Sequence, residues 1–137
     1  MCGINGIYNI RKLEDPTSLI SNMNLASKHR GPDYTGVFKD DNVILGHNRL
    51  SIIDLQESSN QPFISNDGNL IMVFNGEIYN YQEIKNILKD YPYKTNSDTE
   101  VVLAAYQKWG KACVNHYNGM FAFAIWYKTD NSLFMAR

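Results

Sequence analysis

Residues 119–127 read GMFAFAIWY, and this short run decides what kind of fold the chain can adopt. Side chains alternate across a strand. Met120, Ala122, Ala124 and Trp126 therefore share one face, and Phe121, Phe123, Ile125 and Tyr127 share the other. Both faces are apolar, so the strand must be covered above and below. Residues 128–132, KTDNS, then form a hairpin turn, and residues 133–137, LFMAR, begin a return strand.

Upstream, residues 70–74, LIMVF, are a second continuous apolar strand. Residues 3–10, GINGIYNI, and 43–53, VILGHNRLSII, also read as strands. Ile4 and Tyr8 share a face in the first; Leu45, His47 and Arg49 oppose Ile44, Asn48 and Leu50 in the second. Three segments carry helical signals. In residues 14–29, EDPTSLISNMNLASKH, Asp15 is the N-cap, Pro16 the first helical residue, and Leu19, Met23 and Ala26 recur at helical spacing. Residues 81–91, YQEIKNILKDY, are amphipathic with Ile84, Ile87 and Leu88 inward. Residues 97–110, SDTEVVLAAYQKWG, open on a Ser97–Glu100 capping box and close on Gly110. Residues 29–36, HRGPDYTG, are predicted as a loop, 54–69 as a polar connection ending in an Asn-Asp-Gly turn, and 75–80, NGEIYN, as a turn. Two-sided strands and several helices within one domain's length predict an α+β fold of stacked sheets flanked by helical layers.

Thirteen basic residues against fourteen acidic ones leave a net charge of −1, which offers nothing to nucleic acid or to an anionic membrane. No run approaches the roughly 20 apolar residues that span a bilayer, and the N-terminus lacks the basic and apolar regions of a signal peptide. These features predict a cytoplasmic chain. Cys2 and Cys113 form no C-x-x-C pair, and the histidines at 29, 47 and 116 are scattered, so no metal site is predicted.

The chain begins MCGI. If Met1 is trimmed, Cys2 carries a thiol and a free α-amine on one Cα. A thiol with an ordinary pKa of about 8.5 is only a few per cent ionised at neutral pH, whereas an α-amine near 7.7–8.0 is basic enough to take its proton. An N-terminal cysteine thus brings its own base, although cysteine is also an unremarkable second residue. Asn75 and Gly76 follow LIMVF directly; a carboxamide and a glycine N–H aimed at one point stabilise an oxyanion, and Asn-Gly is equally a good turn. Arg49 offers a fork for a carboxylate or a structural arginine. Asp98, beside the N-cap Ser97 in the first turn of its helix, complements the helix dipole and reads equally as part of the cap.

In this order, the segments MCGI, HRGPDYTG, RLSIIDL, QPF, NGEIYNY, SDTEVVLAAY and GMFAFAIW resemble the glutaminase domain of the asparagine synthetase family, a class II glutamine amidotransferase. The resemblance covers Met1 to Arg137. It implies the N-terminal-nucleophile hydrolase fold, a four-layer αββα sandwich of two antiparallel sheets, here incomplete at its C-terminus because LFMAR would continue through further residues. It implies that Cys2 attacks the side-chain carbonyl of glutamine with its own α-amine as base, while Asn75 and Gly76 form the oxyanion hole. Arg49 would hold the substrate carboxylate, Asp98 and Glu77 its ammonium, and the backbone at Leu50 and Ile52 would line the pocket. The ammonia would serve ATP-dependent amidation, by default of aspartate to asparagine. Alternatives are another acceptor, such as a surface-polysaccharide sugar acid or a sugar phosphate, and a non-catalytic glutamine-binding domain. With no pyrophosphatase-type glycine/serine loop in the chain, no cofactor is expected in this domain. ATP and Mg²⁺ are expected only in a C-terminal synthetase domain, the implied partner, and the family allows a homodimer.

Overall fold

The computed structural model describes all residues, Met1–Arg137. In chain order the elements are β1 (Gly3–Tyr8), α1 (Pro16–Ala26), β2 (Tyr34–Lys39), β3 (Val43–Arg49), β4 (Phe63–Ile64), β5 (Leu70–Ile78), α2 (Tyr81–Ile87), α3 (Asp98–Trp109), β6 (Gly119–Tyr127) and β7 (Ser132–Ala136). They build two antiparallel sheets, one ordered β1-β3-β2 and the other β4-β5-β6-β7. Helix α1 packs on β1 and β3, whereas α2 and α3 pack together and α3 against β5. The sheets face each other through β1, β3 and β5, so the layers run helix, sheet, sheet, helices. This is the predicted α+β sandwich.

Strand β6 explains the layering. Its Phe121, Phe123, Ile125 and Tyr127 face joins the main core beneath α2 and α3. Its Ala124 and Trp126 join Val43, Leu45, Ile71 and Val73 between the sheets. Trp126 is 1% exposed, and its indole N–H donates to Asp40 Oδ2 at 3.0 Å, which ties the β2–β3 turn to the second sheet. Met120, at the start of that face, is exposed.

Several boundaries differ from expectation. Strand β2 lies where the sequence suggested only loop; Gly36 interrupts its apolar alternation because the Gln61 carbonyl sits where a Cβ would go. In α1 the cap is as expected, with Asp15 accepting from Ser18 N–H at 3.0 Å, but Ile20 and Asn24 point inward and Leu19 does not. Ile20 meets Ile10 and Ile44, and Asn24 fills the space above Gly46 while accepting from Asn5 Nδ2 at 2.8 Å. On α2, Ile84 and Leu88 are buried and Ile87 is exposed. At α3, Ser97 Oγ accepts from Thr99 N–H at 3.1 Å. The Glu100 carboxylate does not close a capping box; it accepts from the N–H groups of Lys94 and Thr95 and from the Thr95 hydroxyl. Strand β3 ends at Arg49, so Leu50–Ile53 are loop.

The correction that matters most is at β5. Asn75-Gly76-Glu77-Ile78 is not a turn but the second half of that strand, in register with Ala122, Phe121, Met120 and Gly119 of β6 respectively. Gly76 permits it: a Cβ there would collide with the Met120 carbonyl and the Phe121 backbone, a crowding typical of the close, non-hydrogen-bonded pairs of an antiparallel ladder.

Candidate active site

The space between the sheets changes character along its length. Reading β3 on its inward face gives Val43, Leu45, His47, Arg49; reading β5 on the face opposite it gives Ile71, Val73, Asn75, Glu77. Both sequences run from apolar to polar in the same direction. One end of the gap is therefore a dry core and the other a polar cleft. The cleft has a volume of about 730 Å³ including its open mouth. All eight residues nominated from the sequence line it: Cys2, Arg49, Leu50, Ile52, Asn75, Gly76, Glu77 and Asp98.

Cys2 reaches the cleft because β1 pairs antiparallel with β3, with Gly3 opposite Asn48. Its sulfur accepts from the Leu50 N–H at 3.4 Å, and its carbonyl accepts from Arg30 Nε at 2.9 Å. The cysteine is thus fixed at both its side chain and its peptide. Met1 precedes it and also borders the cleft.

Arg49 is 5% exposed and is held by the loop that follows it. Its Nη1 donates to Gln56 O at 3.0 Å and Asn60 Oδ1 at 2.7 Å, and its Nη2 to the Asp54 carbonyl. Three of five guanidinium hydrogens are engaged, which orients the group and leaves Nε–H and one Nη2–H uncommitted. Asp54 anchors the loop in turn. Its carboxylate accepts from Asn96 N–H at 2.9 Å. That bond, more than the Gln56 N–H or the Arg49 charge, holds its pKa below the usual range against the opposing pull of burial. This links the Arg49 wall to the start of α3 opposite.

Asp98 is the first residue of α3 and 4% exposed. Its Oδ2 accepts from Ile78 N–H at 3.1 Å. Burial raises its pKa, the N–H groups of Ile78 and Thr99 pull it back in part, and the neighbouring Glu77 charge raises it further. Two carboxylates facing one cleft, one of them desolvated, make a receptor for a cation.

The oxyanion donors follow from strand geometry. In β5 the N–H of alternate residues points away from β6. Phe74 N–H goes to Gln61 Oε1 at 2.6 Å and Ile78 N–H to Asp98. Gly76 N–H lies between them on that same open edge and faces the cleft. Asn75, on the inter-sheet face, has a buried Oδ1 with no partner and makes no side-chain hydrogen bond. A carboxamide and a backbone N–H are thus left free beside the sulfur wall.

Sequence reasoning gave no role to Arg30, Asp33, His47, Asp54 or Gln61. Asp33 Oδ2 accepts from Ser51 N–H at 2.8 Å and keeps the strand end in place. The segments HRGPD, RLSIIDL and QPF signalled Arg30, Asp33, Asp54 and Gln61 only as parts of a resemblance, and none of the resembling segments includes His47. Their contacts are to backbone atoms of other segments, which no local pattern predicts.

Residues 1–137 match the family described as a glutamine amidotransferase domain. The chain is 44% identical over its whole length to glutamine-hydrolyzing asparagine synthetase 1 of Bacillus subtilis and 36% identical to asparagine synthetase B of Escherichia coli K12. Over 93% of its length it is 42% identical to the amidase chry2 of Gibberella zeae. It spans 22%, 25% and 18% of these proteins respectively. From Met1 to Arg137, the chain belongs to the glutamine amidotransferase domain family.

Proposed function

We propose that the chain hydrolyses the side-chain amide of glutamine through a thioester on Cys2, and that the ammonia is used elsewhere in a longer protein. One observation carries this reading. Eight residues drawn from four separate segments, chosen for nucleophile, oxyanion and zwitterion recognition, line a single cleft.

Once Met1 is removed, the Cys2 α-amine takes the thiol proton as sulfur attacks the amide carbon. The carbonyl oxygen becomes an oxyanion received by Asn75 Nδ2 and Gly76 N–H. The carbon–nitrogen bond breaks, the amine's proton leaves with the nitrogen as ammonia, and a glutamyl thioester remains. Water then attacks with the same amine as base, the carbon–sulfur bond breaks, and glutamate departs. Arg49 receives the substrate carboxylate through its uncommitted N–H groups. Asp98 and Glu77 receive the ammonium, and Leu50 and Ile52 border the aliphatic part.

The relatives named for asparagine synthesis support aspartate as the ammonia acceptor, in a C-terminal synthetase domain that would bind ATP and Mg²⁺. The likeness to an amidase supports a second reading, amidation of a different carboxylate. No helix is long and apolar enough to cross a membrane.

The test uses the full-length protein. Cys2→Ala is expected to bind glutamine but lower ammonia release by on the order of 10³-fold or more, while amidation of aspartate driven by added ammonia persists. Ammonia release at the parent rate would overturn the nucleophile; loss of glutamine binding by Arg49→Ala without loss of hydrolysis of a simple amide would support the division of roles.

A further inference from the structure

Strand β4 covers β5 only opposite Ile71 and Met72. Beyond that point the outer edge of β5 has no strand beside it, yet three of its polar atoms are taken. Phe74 N–H donates to Gln61 Oε1 at 2.6 Å, Phe74 O accepts from His47 Nε2 at 3.1 Å, and Ile78 N–H goes to Asp98. Two side chains from outside the sheet therefore hold both polar atoms of the residue immediately before Asn75.

The chemistry fixes how they do so. An N–H can only donate, so Gln61 must present its oxygen; its amide nitrogen then reaches Thr99 Oγ1 at 3.4 Å. A carbonyl can only accept, so His47 Nε2 carries the hydrogen. That leaves His47 Nδ1 as a buried lone pair, and it has no partner. The ring is 0% exposed, and burial, helped by the Arg49 charge, holds its pKa down at about 4 against the Phe74 bond. The imidazole is therefore neutral across the physiological range. An unpaired buried polar atom is costly, and a leucine in line with Val43 and Leu45 would avoid that cost. Packing alone does not account for a histidine here.

We infer that His47 and Gln61 are positioning residues for the oxyanion donors: by gripping the Phe74 peptide they set where Asn75 Nδ2 and Gly76 N–H point. The inference rests on the glutaminase reading above. Donors of this kind act through placement, and misplacement by about 1 Å costs on the order of 10²-fold. Gln61 lines the cleft, but neither residue hydrogen-bonds to Arg49, Asp98 or Glu77, so turnover falls far more than binding.

The experiment measures kcat and KM for glutamine hydrolysis in full-length His47→Leu, His47→Gln and Gln61→Leu, with glutamine affinity read separately in a Cys2→Ala background. Glutamine side-chain nitrogen reaches near the place of imidazole Nε2, so His47→Gln keeps a donor. The expected result is a fall in kcat of about 10- to 100-fold for His47→Leu and Gln61→Leu, short of the 10²–10³ lost on removing a donor outright. KM and affinity stay within about threefold, and His47→Gln recovers most of the rate. Unchanged kcat, an equal rise in KM, or no recovery by His47→Gln overturns the inference. Should His47→Leu fail to fold, the kcat and KM of Gln61→Leu decide alone. Failure of the glutaminase reading shows separately, as undiminished hydrolysis by Cys2→Ala.

Discussion

In the proposed reading, Asp98 couples the fold to the ammonium of the substrate. Its carboxyl is buried against the Ile78 N–H, and its pKa is raised first by that burial and then by Glu77. A raised folded pKa means that the folded chain binds the proton more tightly than the unfolded one. Stability conferred by the group is present at low pH and is lost as pH rises through the raised value. At neutral pH the ionised carboxylate is thus a cost that an ammonium group would relieve. Glutamine KM should rise as pH falls through the Asp98 pKa, which lies above the ordinary carboxylate value. Asp98→Asn should raise KM by about 10- to 100-fold, since a hydrogen bond to a charged group is worth roughly 1.5–3 kcal/mol. It should flatten this acid-side dependence without lowering Tm, because an asparagine oxygen still accepts from Ile78. A pH–KM profile of the variant that keeps the parental acid limb contradicts the assignment. That Cys2, Arg49, Asn75, Gly76 and Asp98 share one cleft was legible only through the resemblance of the segments that carry them, since each residue alone also has a structural reading. The roles of His47 and Gln61 were not legible, since what they satisfy, the two polar atoms of Phe74, becomes unpaired only once the sheet order is known.

At the scale of the element, β5 is where sequence and structure part company. Asn-Gly after an apolar run is ordinarily a turn, and local propensity gives no reason to extend the strand. The extension is decided by β6, whose backbone comes so close at Met120 and Phe121 that only glycine fits opposite. A Gly76→Ala substitution should therefore push β5 and β6 apart, costing about 1–3 kcal/mol as overpacking does, and displace the free N–H. Urea denaturation and kcat should fall together; a variant as stable and as active as the parent would show that the strands can yield. The missed β2 has a related cause: Gly36 hides its alternation and marks a backbone crossing. The turns at Gly68 and Asn131 and the closure of α3 at Gly110, all at positive φ, were legible because their signals are local.

At the scale of the molecule, the two-sided apolarity of residues 119–127 and 70–74, together with three helical segments, was enough to predict stacked sheets with helical layers outside them. The site could not be read that way, because it belongs to neither sheet alone. Cys2 and Arg49 come from the sheet of β1 and β3, Asn75 and Gly76 from the sheet of β5 and β6. The inter-sheet core of Val43, Leu45, Ile71, Val73 and Trp126 sets the separation at which they meet. The polar cleft is the same gap continued past the end of that core. Everything proposed for the cleft requires that the sulfur have a basic nitrogen on its own residue. Intact-mass and N-terminal analysis of full-length protein with measured glutaminase activity tests this most directly. The active species should begin at Cys2 with a free α-amine, and full activity in protein that retains Met1 would contradict it.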